Sequence, residues 1–209
     1  RRDPLINFAT ILPEFQKQLT MRITIFGAES TGKTTLSRDL AKRLNGHWLF
    51  EYARPYLENT VNEITKRSMT AIWKGQRALQ KQASVLMNKP FIVQDTDLFS
   101  TVGYWQFEHW QSTIGAPLRG LIEDAIDLRS DLYIVTKSNI PFEVDPLRYG
   151  GDHREGSDEY WENVCKRYDL PYIVLESTGR EERLDEAVAK VRELAAERFS
   201  SLSYVRKGQ

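Results

Sequence analysis

The sequence predicts an α/β fold: a five-stranded parallel sheet with helices on both faces and a lid segment, built around a phosphate-binding loop. Two observations carry this. Gly27-Ala28-Glu29-Ser30-Thr31-Gly32-Lys33-Thr34 has the spacing G-x-x-x-x-G-K-[ST] and stands between a strand pattern and a helix pattern. Downstream, short apolar runs alternate with amphipathic stretches, as strands joined by crossover helices do.

The first strand is Met21 to Phe26, alternating and rich in β-branched residues. The helix after the loop shows Leu36, Leu40 and Leu44 on one face. Between them the two glycines permit backbone angles that turn successive N–H groups into one concavity, and the new helix adds its positive end. This is the signature of a P-loop NTPase fold. Gly27, Glu29, Ser30, Thr31, Gly32, Lys33, Thr34 and Thr35 are the candidate ATP-binding residues. Lys33 would neutralise the outer phosphates, and the Thr34 hydroxyl would ligate Mg²⁺.

His47 to Glu51 reads as a second strand, and Tyr52-Ala53-Arg54-Pro55-Tyr56 as a loop, because Pro55 discourages helix at Arg54. Ligands of open parallel sheets bind at the carboxyl ends of strands, so Glu51, Tyr52 and Arg54 stand where an acceptor could sit. Residues 58–88 read mostly as helix, with Gly75 marking a break or a close backbone approach. Pro90 to Asp95 is a third strand ending in an acid, which would orient Mg²⁺ or take a proton. Asp97 follows at once and is equally placed to cap the next helix. That helix carries Phe99, Tyr104, Trp105, Phe107 and Trp110; most of these read as core, with Tyr104 and Trp105 as pocket candidates. A helix over Leu118–Ile126, a fourth strand Asp131–Thr136, a helix over 157–168, a fifth strand Tyr172–Leu175 and a final helix through Leu184–Ala195 complete the pattern. The irregular segment 139–155 reads as a lid carrying Arg148 and Arg154. Residues 1–20 read as an extension or linker, and 21–209 as the domain.

Lys plus Arg and Asp plus Glu number 29 each, which argues against a dedicated nucleic-acid binder. Cys165 is the single cysteine, so no internal disulfide forms, and it reads as a small apolar filler on a helix. No apolar run reaches membrane-spanning length and no signal-peptide pattern is present, so a cytoplasmic setting without membrane contact is expected.

These motifs together resemble the nicotinamide riboside kinase domain of NadR-type proteins, in the nucleoside and nucleotide kinase branch of the P-loop proteins. The resemblance rests on Gly27–Thr35, on Glu51-Tyr52-Ala53-Arg54-Pro55-Tyr56-Leu57, on Asp95-Thr96-Asp97, and on Ile140-Pro141-Phe142-Glu143 with Asp145-Pro146-Leu147-Arg148. It implies transfer of the ATP γ-phosphoryl group to the 5′-hydroxyl of nicotinamide riboside. Lys33, Asp95, Glu51, Arg148 and Arg154 would be catalytic, and Thr34 and Asp95 would hold Mg²⁺. Either Asp95 or Glu51 would serve as base. Phe50, Tyr52, Arg54, Asp97, Tyr104 and Trp105 would contact the small-molecule acceptor. Phe50 stands where some relatives place a ring-stacking Trp, and Gln82 near where they place a Tyr. Longer relatives carry an upstream adenylyltransferase domain; such a partner domain or a homo-oligomer is implied here. Three other readings remain open: a kinase of another nucleoside-like acceptor, an ATP- or pyridine-nucleotide-binding regulatory module with little turnover, and, third, an NTPase driving motion on DNA, against which the neutral charge counts.

Overall fold

The computed structural model describes residues 20–60, 63–85, 89–142, 154 and 156–207. The proposed extension up to residue 19 and most of the proposed lid, Arg148 included, lie outside the described residues.

Among the described residues, five strands form one parallel sheet in the order β2-β3-β1-β4-β5. They are β1 (Met21–Gly27), β2 (His47–Leu49), β3 (Phe91–Asp95), β4 (Leu132–Thr136) and β5 (Tyr172–Leu175). β1 lies at the centre with β3 and β4 beside it, and nearly every residue of the three is buried, as in strands covered on both faces. β2 is a short edge strand, and its predicted last two residues, Phe50 and Glu51, have already left the sheet.

Period two decides which side chain enters which core. Ile23 and Ile25 face one layer with Val93 and Ile134, against α1 (Lys33–Arg43) and the last helix, α8 (Arg180–Lys207). Phe26, Tyr133 and Val135 face the other, against α3 (Lys66–Val85), α4 (Leu98–Gln106), α6 (Arg119–Asp127) and α7 (Ser157–Arg167). Cys165 is buried in this second layer as a small filler. The α4 helix is apolar nearly all round and buried nearly all round. The α5 helix (Glu108–Ile114) continues the chain after a kink at Phe107.

The segment after Glu51 is not a loop. Ala53–Glu58 forms a short helix, α2, with Tyr52 at its N-cap and Pro55 at the third position. Proline is tolerated there because the first-turn N–H groups have no intrahelical acceptor to lose. Gly75 does mark a close approach: a Cβ there would stand 2.1 Å from Cε1 of Tyr52. The α3 helix runs uninterrupted through it. Among the described residues no helix is long and apolar enough to cross a membrane.

Candidate active site

The loop after β1 turns through three residues with positive φ: Gly27 at 142°, Ser30 at 57° and Gly32 at 78°. At Gly27 a Cβ would lie 2.2 Å from Thr136 Oγ1, so only glycine lets β4 run this close. Gly32 is the N-cap of α1 and gives no side-chain bond to the first helical N–H groups. An anion is the ligand that such a helix end, with its N–H groups and positive dipole, favours.

The loop's carbonyls are held from behind. Arg183 of α8, buried, donates to Thr31 O at 2.9 Å and to Lys137 O at 3.3 Å. Arg154 donates to Ile140 O at 2.9 Å and reaches Ser30 O at 3.5 Å. Lys33 Nζ rests on Ala28 O at 2.6 Å, inside its own loop, where a phosphate would compete for it.

Two carboxyls face this loop. Glu51 lies just past the end of β2, and Asp95 is the last residue of β3. Burial pushes the Glu51 carboxyl up to about 7, helped by Asp95 and opposed by Lys33 and Arg54. Burial also raises Asp95, against a hydrogen bond from Thr34 and the charges of Lys33, Arg54 and Arg38. Asp95 is 3% exposed, and its Oδ1 has no hydrogen-bond partner among the described residues. An unsatisfied buried carboxylate oxygen beside a threonine hydroxyl suits a hard divalent cation such as Mg²⁺. Among the described residues no cluster of three or more His, Cys, Asp or Glu could hold a metal, so an ion here would draw on phosphate and water oxygens too.

The loop opens into a cavity of about 150 Å³. One end is lined by Glu29 to Thr34 with Glu51 and Arg54. The rest of the lining is mostly apolar, with Leu57, Ile64, Met69, Ile72, Tyr104 and Trp110, and its polar members are Gln76, Thr96, Ser100 and Thr101. Thr35 lies on the exposed face of α1, outside this lining.

The acceptor residues expected from sequence divide sharply. Arg54 and Tyr104 line the cavity. Trp105 does not: it is fully buried, with its indole N–H on Gly115 O at 2.9 Å. Asp97 does not either. Its Oδ1 accepts from the N–H groups of Phe99 and Ser100 at 2.9 and 3.2 Å, and its Oδ2 accepts from the Tyr133 hydroxyl at 2.8 Å. It is the N-cap of α4, with a complete capping box and no free edge for a sugar. Phe50 is 40% exposed and off the cavity wall. Tyr52 packs over Gly75 and stacks on Tyr56, at 6.2 Å between ring centroids. Sequence reasoning left out Gln76 and Arg183 and put Trp110 among the core aromatics. Gln76 had one signal, the glycine beside it; Arg183 had none, since it reaches the loop from the far end of the chain.

Loop, helix N-terminus and paired carboxyls at the carboxyl edge of a parallel sheet define a P-loop nucleotide-binding protein. The model of a family described as AAA domain matches residues 22–183, and the chain belongs to that family. No curated protein sequence matches the chain. Among solved structures it is similar to a NadR protein in complex with NR, at TM-score 0.68 and 24% identity over 87% of this chain and 52% of that one. A NadR protein in complex with NAD and AMP-PNP gives 0.70 and 23%, over 88% and 52%. The thymidylate kinase from Ehrlichia chaffeensis gives 0.53 and 17%, over 84% and 98%. The chain spans about half the length of these NadR structures and shares their fold.

Proposed function

We propose that this domain is a kinase that moves the terminal phosphoryl group of ATP onto the 5′-hydroxyl of a nucleoside, with nicotinamide riboside as the acceptor. One observation carries the reading: a single cavity joins an anion-binding loop, a carboxyl pushed up to about 7 and an apolar, aromatic-walled compartment. A regulatory ATP-binding module needs the first of these and neither of the others. The choice of nicotinamide riboside over other nucleosides is supported by the NadR likeness and the motif resemblance, including the NR and AMP-PNP named with those structures.

In this reading the loop N–H groups and Lys33 bind the β- and γ-phosphates, with Lys33 leaving Ala28 O to do so. Thr34 and Asp95 would hold Mg²⁺, which supplies positive charge against the oxygens of the transferring group. Asp95 faces Thr34 and lies outside the cavity lining; Glu51 is in the lining. That division supports the metal at Asp95 and the proton of the attacking hydroxyl at Glu51. A carboxyl near 7 is matched to taking that proton at neutral pH. Arg154, anchored on Ser30 O and Ile140 O, stands beside the loop where charge develops, and Arg148 would join it from the lid. Tyr104 and Trp110 would flank the acceptor's ring in place of Phe50 and Trp105.

The test is ADP release from ATP and Mg²⁺ with nicotinamide riboside, the common ribo- and deoxynucleosides, or no acceptor, using Lys33→Ala as blank. Release that requires nicotinamide riboside and yields its mononucleotide is the expected result. Release with a different nucleoside overturns the substrate. ATP binding without acceptor-stimulated release overturns the enzyme.

A further inference from the structure

We infer that Gln76 reads a hydrogen-bond acceptor on the acceptor's ring, so that the site selects a base bearing a carbonyl oxygen. The inference rests on the kinase reading above and names which end of the substrate this side chain touches.

Gln76 belongs to α3 and is one of the residues that line the cavity. It is 1% exposed, and its two amide atoms are in opposite situations. The oxygen Oε1 accepts the backbone N–H of Tyr52 at 3.0 Å, at the N-cap of α2. The nitrogen Nε2 is buried with no hydrogen-bond partner among the described residues. A backbone N–H can only donate, so the amide cannot turn over without setting two donors against each other. The orientation is fixed, and what Gln76 has left to offer is a donor. A buried donor left unpaired is costly, and such groups persist where a ligand completes them.

The neighbours say what kind of ligand. Ile72, Met69, Tyr104 and Trp110 offer apolar and aromatic surface, which suits a flat ring and provides no charge. Thr96, Ser100 and Thr101 also line the cavity, and a hydroxyl accommodates donor or acceptor alike. Gln76 is therefore the group whose polarity is decided in advance. A ring carboxamide or lactam oxygen satisfies it; an amino group at the same place meets a donor and is rejected.

The experiment is titration calorimetry with two ribosides that share a sugar and a cationic ring: nicotinamide riboside and the riboside of unsubstituted pyridine. Wild type is expected to bind the carboxamide compound at least tenfold more tightly. In Gln76→Glu, which keeps an acceptor for the Tyr52 N–H and loses the donor, the two are expected to bind within twofold of each other. The added charge acts on both cations alike and cancels from the ratio. Gln76→Met, which is neutral and of similar volume, is expected to give the same collapse, and thermal unfolding identifies whichever variant is folded. Equal binding of the two ribosides to wild type, or a tenfold preference surviving in the folded variants, overturns the inference. ADP release measured alongside separates the two claims: a preference that collapses without any phosphorylation overturns the kinase reading and leaves Gln76 as the reader. Phosphorylation of both ribosides with no preference does the reverse.

Discussion

The two ends of the cavity are built by different means. The phosphate end is almost wholly backbone: N–H groups of one loop and one helix turn, placed by positive-φ residues and reinforced by Lys33. The acceptor end is almost wholly side chain, with walls from α2, α3, α4 and α5 and no two of its aromatic rings adjacent in sequence. A backbone site is fixed by eight consecutive residues and tolerates little change within them. A side-chain site is assembled by tertiary packing, and each wall residue can change with the ligand while the fold stands. Phosphate binding should therefore be brittle in this domain, and acceptor choice adjustable.

The largest expected effect is at the brittle end. Lys33→Ala should lower turnover by about 10²–10³-fold, as loss of one preorganised electrostatic contact does, with the fold intact by thermal unfolding. Next is the carboxyl between the two ends. Glu51→Gln should cost about 10²-fold in kcat while ATP-analogue affinity is kept. In wild type, kcat/KM should rise with pH through about 7, and in Glu51→Gln that limb should be flat. The same carboxyl links pH to stability. Burial raises it from 4.5 to about 7, so between those values the folded protein holds more protons than the unfolded chain. Stability of the ligand-free protein should fall as pH rises through that window, and denaturant titrations of Glu51→Gln should show a shallower fall.

At the adjustable end the effects are smaller and separable. Tyr104→Ala should raise the acceptor KM about tenfold, worth about 1.4 kcal/mol, with the KM for ATP unchanged. Trp105→Phe, one residue away but in the core, should leave both KM values alone and lower stability by about 1–2 kcal/mol. The smallest effect on catalysis belongs to Asp97→Ala: about 1–2 kcal/mol of lost capping in a denaturant titration, and no change in acceptor KM. A raised acceptor KM in that variant would return Asp97 to the sugar.

The same contrast explains what could be read from the residues alone. Sheet class, strand positions and the phosphate loop were legible because period, apolar runs and one contiguous motif encode them. Asp95 was legible as the last residue of β3, since an apolar run that closes on an acid marks where a buried strand leaves the sheet. Asp97 was not, since the pattern of a helix cap and that of a sugar ligand are identical until the partners of both carboxylate oxygens are seen. Tyr104 and Trp105 sit on different faces of one helix and Trp110 lies beyond the kink at Phe107, so which of them lines the cavity is set by packing. Pro55 was misread because a proline bars helix interiors and not first turns. Gln76 and Arg183 act through partners 24 and 152 residues away, a relation that no local window contains.

The most direct test of the two-ended cavity is to titrate Lys33→Ala with nicotinamide riboside and, separately, with AMP-PNP. Riboside affinity within about twofold of wild type and AMP-PNP affinity reduced at least tenfold are expected. Loss of both ligands together, or of the riboside alone, would contradict it.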